Sequence, residues 1–218
     1  IKSKMTEKPT ASGRPAEFSR DDAIEGAMNL FWRDGYLGVS ASDLAAAMNI
    51  QRSSFYNSFG SRSVVFLEAL EHYSKSAPDK VVDALEPGDP VLPTIAAMFR
   101  ELCRQRAADV EARGCLVCNS VGELIGVDDE LGPVLLRAVE ERVDVFERAL
   151  RQAMDQGELT LPNSVTASAR SLVAFLLGIN LISKTVRDEQ ALWDTCRSFL
   201  EGFGVPEQAL DSLAFTVG

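Results

Sequence analysis

The chain has 218 residues, of which 46% are apolar and 25% are charged. This length is enough to bury a sizeable core in one domain or two small ones. Its formal net charge of −10 excludes a continuous basic surface for nonspecific nucleic-acid binding or for attachment to a membrane. No apolar run is expected to span a bilayer and no secretory signal is visible, so we expect a cytoplasmic protein without a membrane partner.

The charge is unevenly distributed along the chain. The first 62 residues carry 8 Lys or Arg and 7 Asp or Glu, whereas the remaining residues carry 14 and 25. A nearly neutral N-terminal segment joined to an acidic remainder suits a few well-placed cations that contact phosphate groups.

The first predicted helix follows a polar segment. Residues 1–18 are rich in Pro, Gly and Ser and are predicted to form a flexible N-terminal arm. Ser19 then has the position of a helix N-cap, and apolar residues follow at the i, i+3, i+4, i+7 spacing of an amphipathic helix. Gly35 is predicted to end this helix as its C-terminal glycine.

Two shorter helices joined by a tight turn are predicted next. Ser40 and Asp43 stand three residues apart, as in a capping box, and start the second helix. Asn49 is predicted to occupy the turn, because Asn tolerates a left-handed backbone better than other residues except glycine. The third helix is predicted to start near Gln51, and Ser61 then caps a fourth.

The rest of the chain shows helical periodicity and no alternating strand pattern, so the predicted fold class is all-α. We expect a three-helix N-terminal domain with a helix-turn-helix at residues 19–62 and a helical C-terminal domain at residues 63–218. The later predicted helices cover residues 95–106, 114–125, 128–156, 164–187 and 189–203.

The exposed side of the third predicted helix suits DNA. A recognition helix needs small or polar residues in its first turn in order to enter the major groove. Helix starts at Ser40 and Arg62 would add backbone N–H groups that attract phosphate. Periodicity alone leaves open an ordinary helical hairpin whose polar face is only solvated. The predicted DNA-binding residues are Ser40, Ser42, Arg52, Ser53, Ser54, Tyr56, Asn57 and Arg62.

A resemblance to a known family decides between these two interpretations. The residues that carry it are Arg14-Pro15, 18–22, Leu30-Phe31-Trp32, Gly35-Tyr36, 44–50, Phe55-Tyr56, 59–62 and Phe66. In order and spacing they resemble the N-terminal domain of TetR/AcrR-type transcriptional regulators. The resemblance implies a three-helix DNA-binding domain joined to a helical domain for ligand binding and dimerisation. It therefore implies a regulator that binds double-stranded DNA, not an enzyme, and no cofactor is expected.

This chain departs from the family pattern at four positions. It has Asn49 and Ser53 where Gly is usual or frequent, Phe55 where Leu or Ile is common, and Arg62 where Lys is usual. Asn tolerates the left-handed turn, and Arg keeps the positive charge with a different donor geometry. The departures leave the function in place, but they obscure the operator sequence.

The resemblance also implies a homodimer in which the last two long helices pair with those of a second copy. Their apolar content exceeds what one side of each helix needs, so part of it should face a partner, with a monomer core as the alternative. A two-fold dimer predicts a palindromic operator with half-sites ~34–36 Å apart. The predicted interface residues are Phe175, Ile179, Trp193, Phe199 and Phe203.

An apolar effector cavity is expected among the middle helices. A small apolar ligand bound there would release a repressor from DNA by favouring a state in which the two heads are wrongly spaced. Each candidate lining residue is also typical of plain core packing. The candidates are Phe99, Leu116, Leu124, Leu135, Phe146 and Phe175.

Two cysteines form the most distinctive motif of the C-terminal part. Cys115 is predicted to lie in the first turn of a helix beside Arg113, where its pKa should fall, and Cys118 could act as the resolving thiol. Some members of the resembled family with a similar Gly-Cys-Leu helix start respond to electrophiles or oxidants through such a cysteine. A thiol-based sensor is therefore the alternative function.

Other interpretations of these cysteines remain open. Both can be small buried apolar residues, and a metal site is poorly supported because the chain has a single His. A redox enzyme that uses a CxxC motif is a distant alternative, because it requires a thioredoxin-like βαβ setting and no strand pattern is present.

Overall fold

The computed structural model describes residues 19–162 and 164–211. Within these two ranges the protein is helical and contains no strand, which confirms the predicted fold class. The predicted N-terminal arm lies outside the described residues. The helices of these ranges are α1 (Arg20–Asp34), α2 (Ala41–Ala47), α3 (Arg52–Phe59), α4 (Arg62–Ser74), α5 (Lys80–Asp83), α6 (Val91–Ala108), α7 (Leu116–Leu124), α8 (Leu131–Asp155), α9 (Val165–Ile182), α10 (Glu189–Phe203) and α11 (Glu207–Asp211).

The N-terminal helices begin and end at the predicted residues. The Ser19 hydroxyl accepts a hydrogen bond from the Asp22 N–H at 3.3 Å, and Gly35 follows α1 with a φ of 76°. The capping box of α2 is complete in both directions, because the Ser40 N–H also donates to the Asp43 carboxylate at 2.8 Å. Asn49 has a φ of 54°, so the left-handed turn between α2 and α3 is confirmed.

The later helices differ from their predicted bounds for local reasons. α6 starts at Val91 and includes Pro93, because a proline in the first turn removes only an N–H that has no intrahelical partner. Asp128 precedes α8 and caps it, with its carboxylate accepting from the Leu131 N–H at 2.8 Å. α9 ends at Ile182, whereas the prediction extended it to residue 187. The short helices α5 and α11 were not predicted.

Two groups of buried apolar residues form the core. The first lies among α1 to α4 and continues into α7 and α8 through Leu116, Leu124, Leu131 and Leu135. The second joins α6, α8, α9 and α10 around Phe99, Phe146 and other side chains. Because the first group includes residues of α7 and α8, the N-terminal helices are packed against the C-terminal part.

One helix meets the length and composition criteria for a membrane span. α9 has 18 residues with a mean hydropathy of 1.7, so the expectation that no apolar run is long enough is wrong for this helix. A single such helix is weak evidence, because core helices of proteins that stay in water pass the same test. Within a single chain, 39% of the residues of this helix are buried, and the others are at least partly exposed.

Candidate functional site

The outer face of α3 carries the predicted base-reading residues. Arg52, Ser53, Ser54, Tyr56 and Asn57 are all exposed. The two phenylalanines of the same helix point inward and are buried in the N-terminal core. The guanidinium carbon of Arg52 lies 5.8 Å from the centre of the Tyr56 ring, so these two long side chains stand together at the surface. α3 therefore presents a polar, accessible face on a rigid apolar base.

Ser40 and Ser42 lie at the start of α2, and both are exposed. Ser40 is the N-cap, and its hydroxyl already hydrogen-bonds the Asp43 carboxylate at 2.5 Å. Asp43 in turn has a lowered pKa because of these hydrogen bonds from Ser40, which favour its charged form. Ser40 therefore stands at a helix start, as predicted, and its side chain serves as the cap; its contact with phosphate stays a prediction.

Arg62 begins α4, as predicted, and its side chain contacts the loop between α1 and α2. Its Nη1 donates to the carbonyl oxygens of Tyr36 at 3.1 Å and Val39 at 2.7 Å, and its guanidinium lies 4.0 Å from the Tyr36 ring centre. The side chain faces inward because the loop between α1 and α2 leaves carbonyls without helical partners. Arg62 holds that loop against α4, and its phosphate contact stays a prediction.

Arg20 is a further structural cation of this region. It pairs with Glu68 at 2.6 Å and donates to the carbonyl of Ser58 at 3.1 Å, while its guanidinium lies 4.5 Å from the Phe59 ring centre. These contacts hold the C-terminal end of α3 against α1 and α4. No local sequence signal identifies them, because Glu68 is 48 residues away from Arg20.

α7 contacts the loop that follows α1. The Glu123 carboxylate accepts hydrogen bonds from the backbone N–H groups of Tyr36 at 3.0 Å and Leu37 at 2.8 Å. Arg113, just before α7, lies 3.9 Å from the Trp32 ring centre and donates to Asn29 at 3.0 Å. The start and the end of α7 are therefore both attached to the N-terminal helices. No local sequence signal predicts this contact, because Glu123 lies 87 and 86 residues from Tyr36 and Leu37.

A cavity of about 390 Å³ lies between α4, α5, α6, α8, α9 and the start of α7. None of the six predicted pocket residues lines it. The prediction is corrected because these six side chains pack into or against the two cores, whereas the cavity is bordered by other apolar and polar residues. Five of the six are fully buried core residues, and the sixth, Phe175, stacks on Phe199. The six are Phe99, Leu116, Leu124, Leu135, Phe146 and Phe175.

The inner wall of the cavity contains a buried polar network. Arg106 is only 4% exposed and donates from Nε to the Asn180 side-chain oxygen at 2.7 Å. Its Nη2 donates to the Tyr73 hydroxyl at 2.9 Å. Cys115 and Cys118 border the cavity beside these three residues. The network links α4, which continues from the N-terminal helices, to α6 and α9.

Cys115 has the chemistry of an activated thiol. It is the N-cap of α7 and is 9% exposed. Its pKa is lowered to about 6, because Cys118 donates a hydrogen bond to it and the charge of Arg106 and the Tyr73 hydroxyl also favour the thiolate. Burial opposes this shift. The cation responsible is Arg106, whereas Arg113, named from the sequence, is held by Trp32 and Asp109.

The neighbours of Cys115 titrate in the opposite direction. The pKa of Cys118 is raised, because its proton is hydrogen-bonded to Cys115 and its burial disfavours the charged form. The pKa of Tyr73 is raised by burial and by the charge of Cys115. The other two cysteines, Cys103 and Cys196, are buried with sulfur atoms 3.5 Å apart. Among the described residues no His, Cys, Asp or Glu cluster suited to a metal ion is found.

The predicted dimer face is only partly at the surface. Ile179 and Trp193 are 2% and 3% exposed within a single chain, so these two are core residues and the prediction is corrected for them. Phe175, Phe199 and Phe203 are half-buried, and the rings of Phe175 and Phe199 stack at 3.8 Å between centres. The correction arises because periodicity places apolar residues along a helix but does not say which of them pack inside the same chain and which face a partner.

The sequence of this chain matches two family profiles and is similar to a known transcriptional regulator. The profile described as "Bacterial regulatory proteins, tetR family" matches residues 23–69, and "Tetracyclin repressor-like, C-terminal domain" matches residues 91–199. The uncharacterized HTH-type transcriptional regulator YezE of Bacillus subtilis is 31% identical over 183 residues, which are 84% of this chain and 94% of YezE. The chain belongs to the TetR family.

A second relative and a solved structure agree with this assignment. The HTH-type transcriptional repressor DhaR of Mycobacterium sp. strain GP1 is 27% identical over 79% of this chain and 86% of its own length. A cysteine mutant of the TetR family regulator CifR, solved in complex with operator DNA, superposes on this chain with a TM-score of 0.75 and 27% sequence identity. The alignment covers 87% of this chain and 100% of the CifR chain.

The protein is thus a DNA-binding transcriptional regulator of the TetR family, and the relatives named here are regulators of transcription. The family acts as dimers that respond to small-molecule effectors. The α2–α3 pair is the helix-turn-helix of this chain, since it lies inside the tetR-family match.

Proposed function

We propose that this TetR-family regulator is a repressor that binds a palindromic operator as a homodimer and leaves it when a small, largely apolar ligand enters the cavity. The observation that carries the proposal is the polar, exposed face of α3 on its buried phenylalanine base. Arg52, Ser53, Ser54 and Asn57 are the proposed readers of base edges, and Tyr56 is the proposed phosphate contact. Repressor relatives such as DhaR, and the CifR complex with operator DNA, support this reading.

The proposed dimer uses the outer faces of α9 and α10. Leu181 is 65% exposed and Ile182 is 48% exposed, and both are large apolar side chains at the end of α9. Ala174 and Gly178 are exposed on the same helix, and such small residues allow a second helix to approach closely. With Phe175 at the edge, this surface gives each protomer an apolar face to cover.

The proposed release mechanism runs through α4 and α7. The cavity borders both helices at Tyr73 and Cys115, and the two helices also contact the N-terminal three-helix unit, α7 through Glu123. A ligand that prefers a wider cavity would favour positions of these helices that change the distance between the two heads. In this proposal residues 19–62 form the DNA-reading unit and residues 63–218 the sensing and pairing unit.

Selection of bound DNA from a random pool tests the operator part of the proposal. The full-length protein is expected to enrich a palindrome whose half-sites are centred ~34–36 Å apart, because two identical heads must enter successive major grooves. Sedimentation of the selected complex should give two protomers, or pairs of dimers, per site. Enrichment of a single half-site, or of no sequence, would contradict the proposed palindromic readout.

A second candidate function is a thiol-based sensor of electrophiles or oxidants, and the lowered pKa of Cys115 favours it. We expect iodoacetamide to alkylate Cys115 with a half-maximal rate near pH 6, because the thiolate is the reactive form and its pKa is lowered to about 6. Below that pH the thiol is protonated and the rate should fall. Peptide mass spectrometry across pH 5 to 9 measures the profile.

Two cysteine positions provide the controls for this profile. The Cys118→Ala substitution removes the main hydrogen bond to Cys115 and should move the midpoint up toward the ordinary thiol pKa of 9.0. Cys196 is buried with a raised pKa and should stay unmodified. Operator affinity that stays unchanged after complete modification of Cys115 would rule out the thiol sensor and leave the ligand-released repressor.

A further inference from the structure

Arg106 is a buried cation with no carboxylate partner. Its exposed fraction is 4%, and it forms no ion pair with any Asp or Glu in the two described ranges. Its charge acts on the Cys115 thiol, whose thiolate form it favours. A buried charge is destabilising when it lacks an opposite charge, because the interior does not replace the hydration it loses. No carboxylate of the described residues therefore compensates the arginine at the wall of this cavity.

The hydrogen bonds of Arg106 fix its orientation without neutralising it. Nε donates to the Asn180 oxygen and Nη2 donates to the Tyr73 hydroxyl, and both partners are uncharged. Asn180 is held in turn, because its amide donates to the Leu176 carbonyl at 2.8 Å. Nη1 makes no hydrogen bond to any described residue, although the arginine borders the cavity. The guanidinium thus keeps a donor for an occupant.

Two acidic residues of the cavity are paired with other cations, and a third, Glu141, is exposed. Asp79 and Asp83 border its outer end, where Arg142 contacts them at 3.1 Å and 2.7 Å. Lys80 adds a second contact to Asp83 at 2.9 Å. Between this outer group and Arg106 the wall is apolar. Its apolar members include Leu102, Val139, Val145, Val173 and Leu176.

We propose that the effector is a small carboxylic acid with an apolar body, whose carboxylate is bound by Arg106. This inference rests on the proposed ligand-released repressor and names the chemical class of its ligand. A guanidinium matches carboxylate geometry, and Nη1 of Arg106 is not engaged by any described residue. A cavity of about 390 Å³ lies in the range of small-molecule sites.

The Cys115 thiolate is the competing source of negative charge beside Arg106. If the thiolate were the only partner, an acid would bind no better than a neutral molecule of the same shape. The Cys115→Ser variant removes the thiolate while keeping a side chain of similar size. We therefore expect the preference for acids to persist in this variant.

Matched acids and primary amides provide the test. Binding of hexanoate, octanoate, benzoate and phenylacetate to the full-length protein is measured by calorimetry and by release of the selected operator, beside the amide of each acid. At least one acid is expected to bind at least about tenfold more tightly than its amide, because a carboxylate gains charged hydrogen bonds that an amide lacks. Equal binding of every pair, or no binding by any acid, would overturn the proposal.

Substitutions locate the effect at Arg106. Arg106→Gln should abolish the preference for the acid, whereas Arg148→Gln, which removes an exposed cation at the border of the same cavity, should retain it. A preserved preference in a folded Arg106→Gln protein would overturn the assignment. If that variant fails to fold, the acid-to-amide affinity ratio of Arg106→Lys is compared with that of the wild-type protein to decide the assignment. Release by neutral apolar compounds alone would overturn the carboxylate inference but retain the ligand-released repressor.

Discussion

The Arg52→Ala variant is expected to bind the selected operator more weakly by about 1–3 kcal/mol for each head, and so by about 2–6 kcal/mol for a dimer with two heads bound. The expected loss is large because Arg52 is exposed at the first position of α3, where a guanidinium can form two hydrogen bonds with a guanine edge. Fluorescence anisotropy at one fixed salt concentration measures the affinity for the selected operator and for a scrambled duplex.

Tyr56 provides the matched control on the same helix. It is 45% exposed and stands beside Arg52, so Tyr56→Phe removes one hydroxyl from the same surface. If Tyr56 contacts phosphate, this variant should lose affinity for both duplexes alike, because phosphates carry no sequence information. Should Arg52→Ala weaken both duplexes equally, Arg52 would be reassigned to the phosphate backbone.

The Phe66→Ala variant is expected to lower the free energy of unfolding by about 3–5 kcal/mol, because it leaves a cavity in the N-terminal core. Phe66 lies on α4, is fully buried, and has its ring centre 5.1 Å from that of Phe31 on α1 and 4.8 Å from that of Tyr36. Urea denaturation followed by circular dichroism measures the loss.

Val64 is the control for this stability measurement. It lies on the same helix but is 42% exposed, so Val64→Ala should change the free energy of unfolding by no more than about 0.5 kcal/mol. Similar losses for the two variants would show that the aromatic cluster does not hold α4 against α1. DNA affinity should fall with Phe66→Ala in parallel, since α3 rests on the same core.

Much of the DNA-reading unit could be predicted because its signals are local. Ser19, Ser40 and Ser61 each cap a helix through a hydrogen bond to a residue three positions later, and this spacing is visible in the sequence. Asn49 shows its left-handed turn through its own conformational tolerance. The exposed face of α3 followed from the four-residue spacing of its two phenylalanines.

The candidate effector site could not be predicted in the same way. The large apolar residues named from the sequence pack in or against the cores, because close-packed interiors are filled mainly by large apolar side chains. A cavity exists where several helices fail to meet, and that depends on how helices far apart in the chain pack together. Arg106 is an example, since it meets Asn180 across 74 residues and Tyr73 across 33.

Long-range partners also decided the roles of individual charges. Arg62 is a predicted phosphate contact by position, and the fold also places the carbonyls of Tyr36 and Val39 within its reach. The cation beside Cys115 proved to be Arg106 and not its sequence neighbour Arg113. An arginine side chain is long and flexible, so the nearest acceptor in space determines its partner.

The sequence by itself determined the helical class, the caps and turn of the helix-turn-helix, and the polar face of α3, because each depends on interactions within about one or two helical turns. Only the tertiary structure decided which apolar residues are core, where the cavity lies, and which partners the buried charges meet. Those properties depend on which distant segments meet, since burial and pairing are set by packing in space.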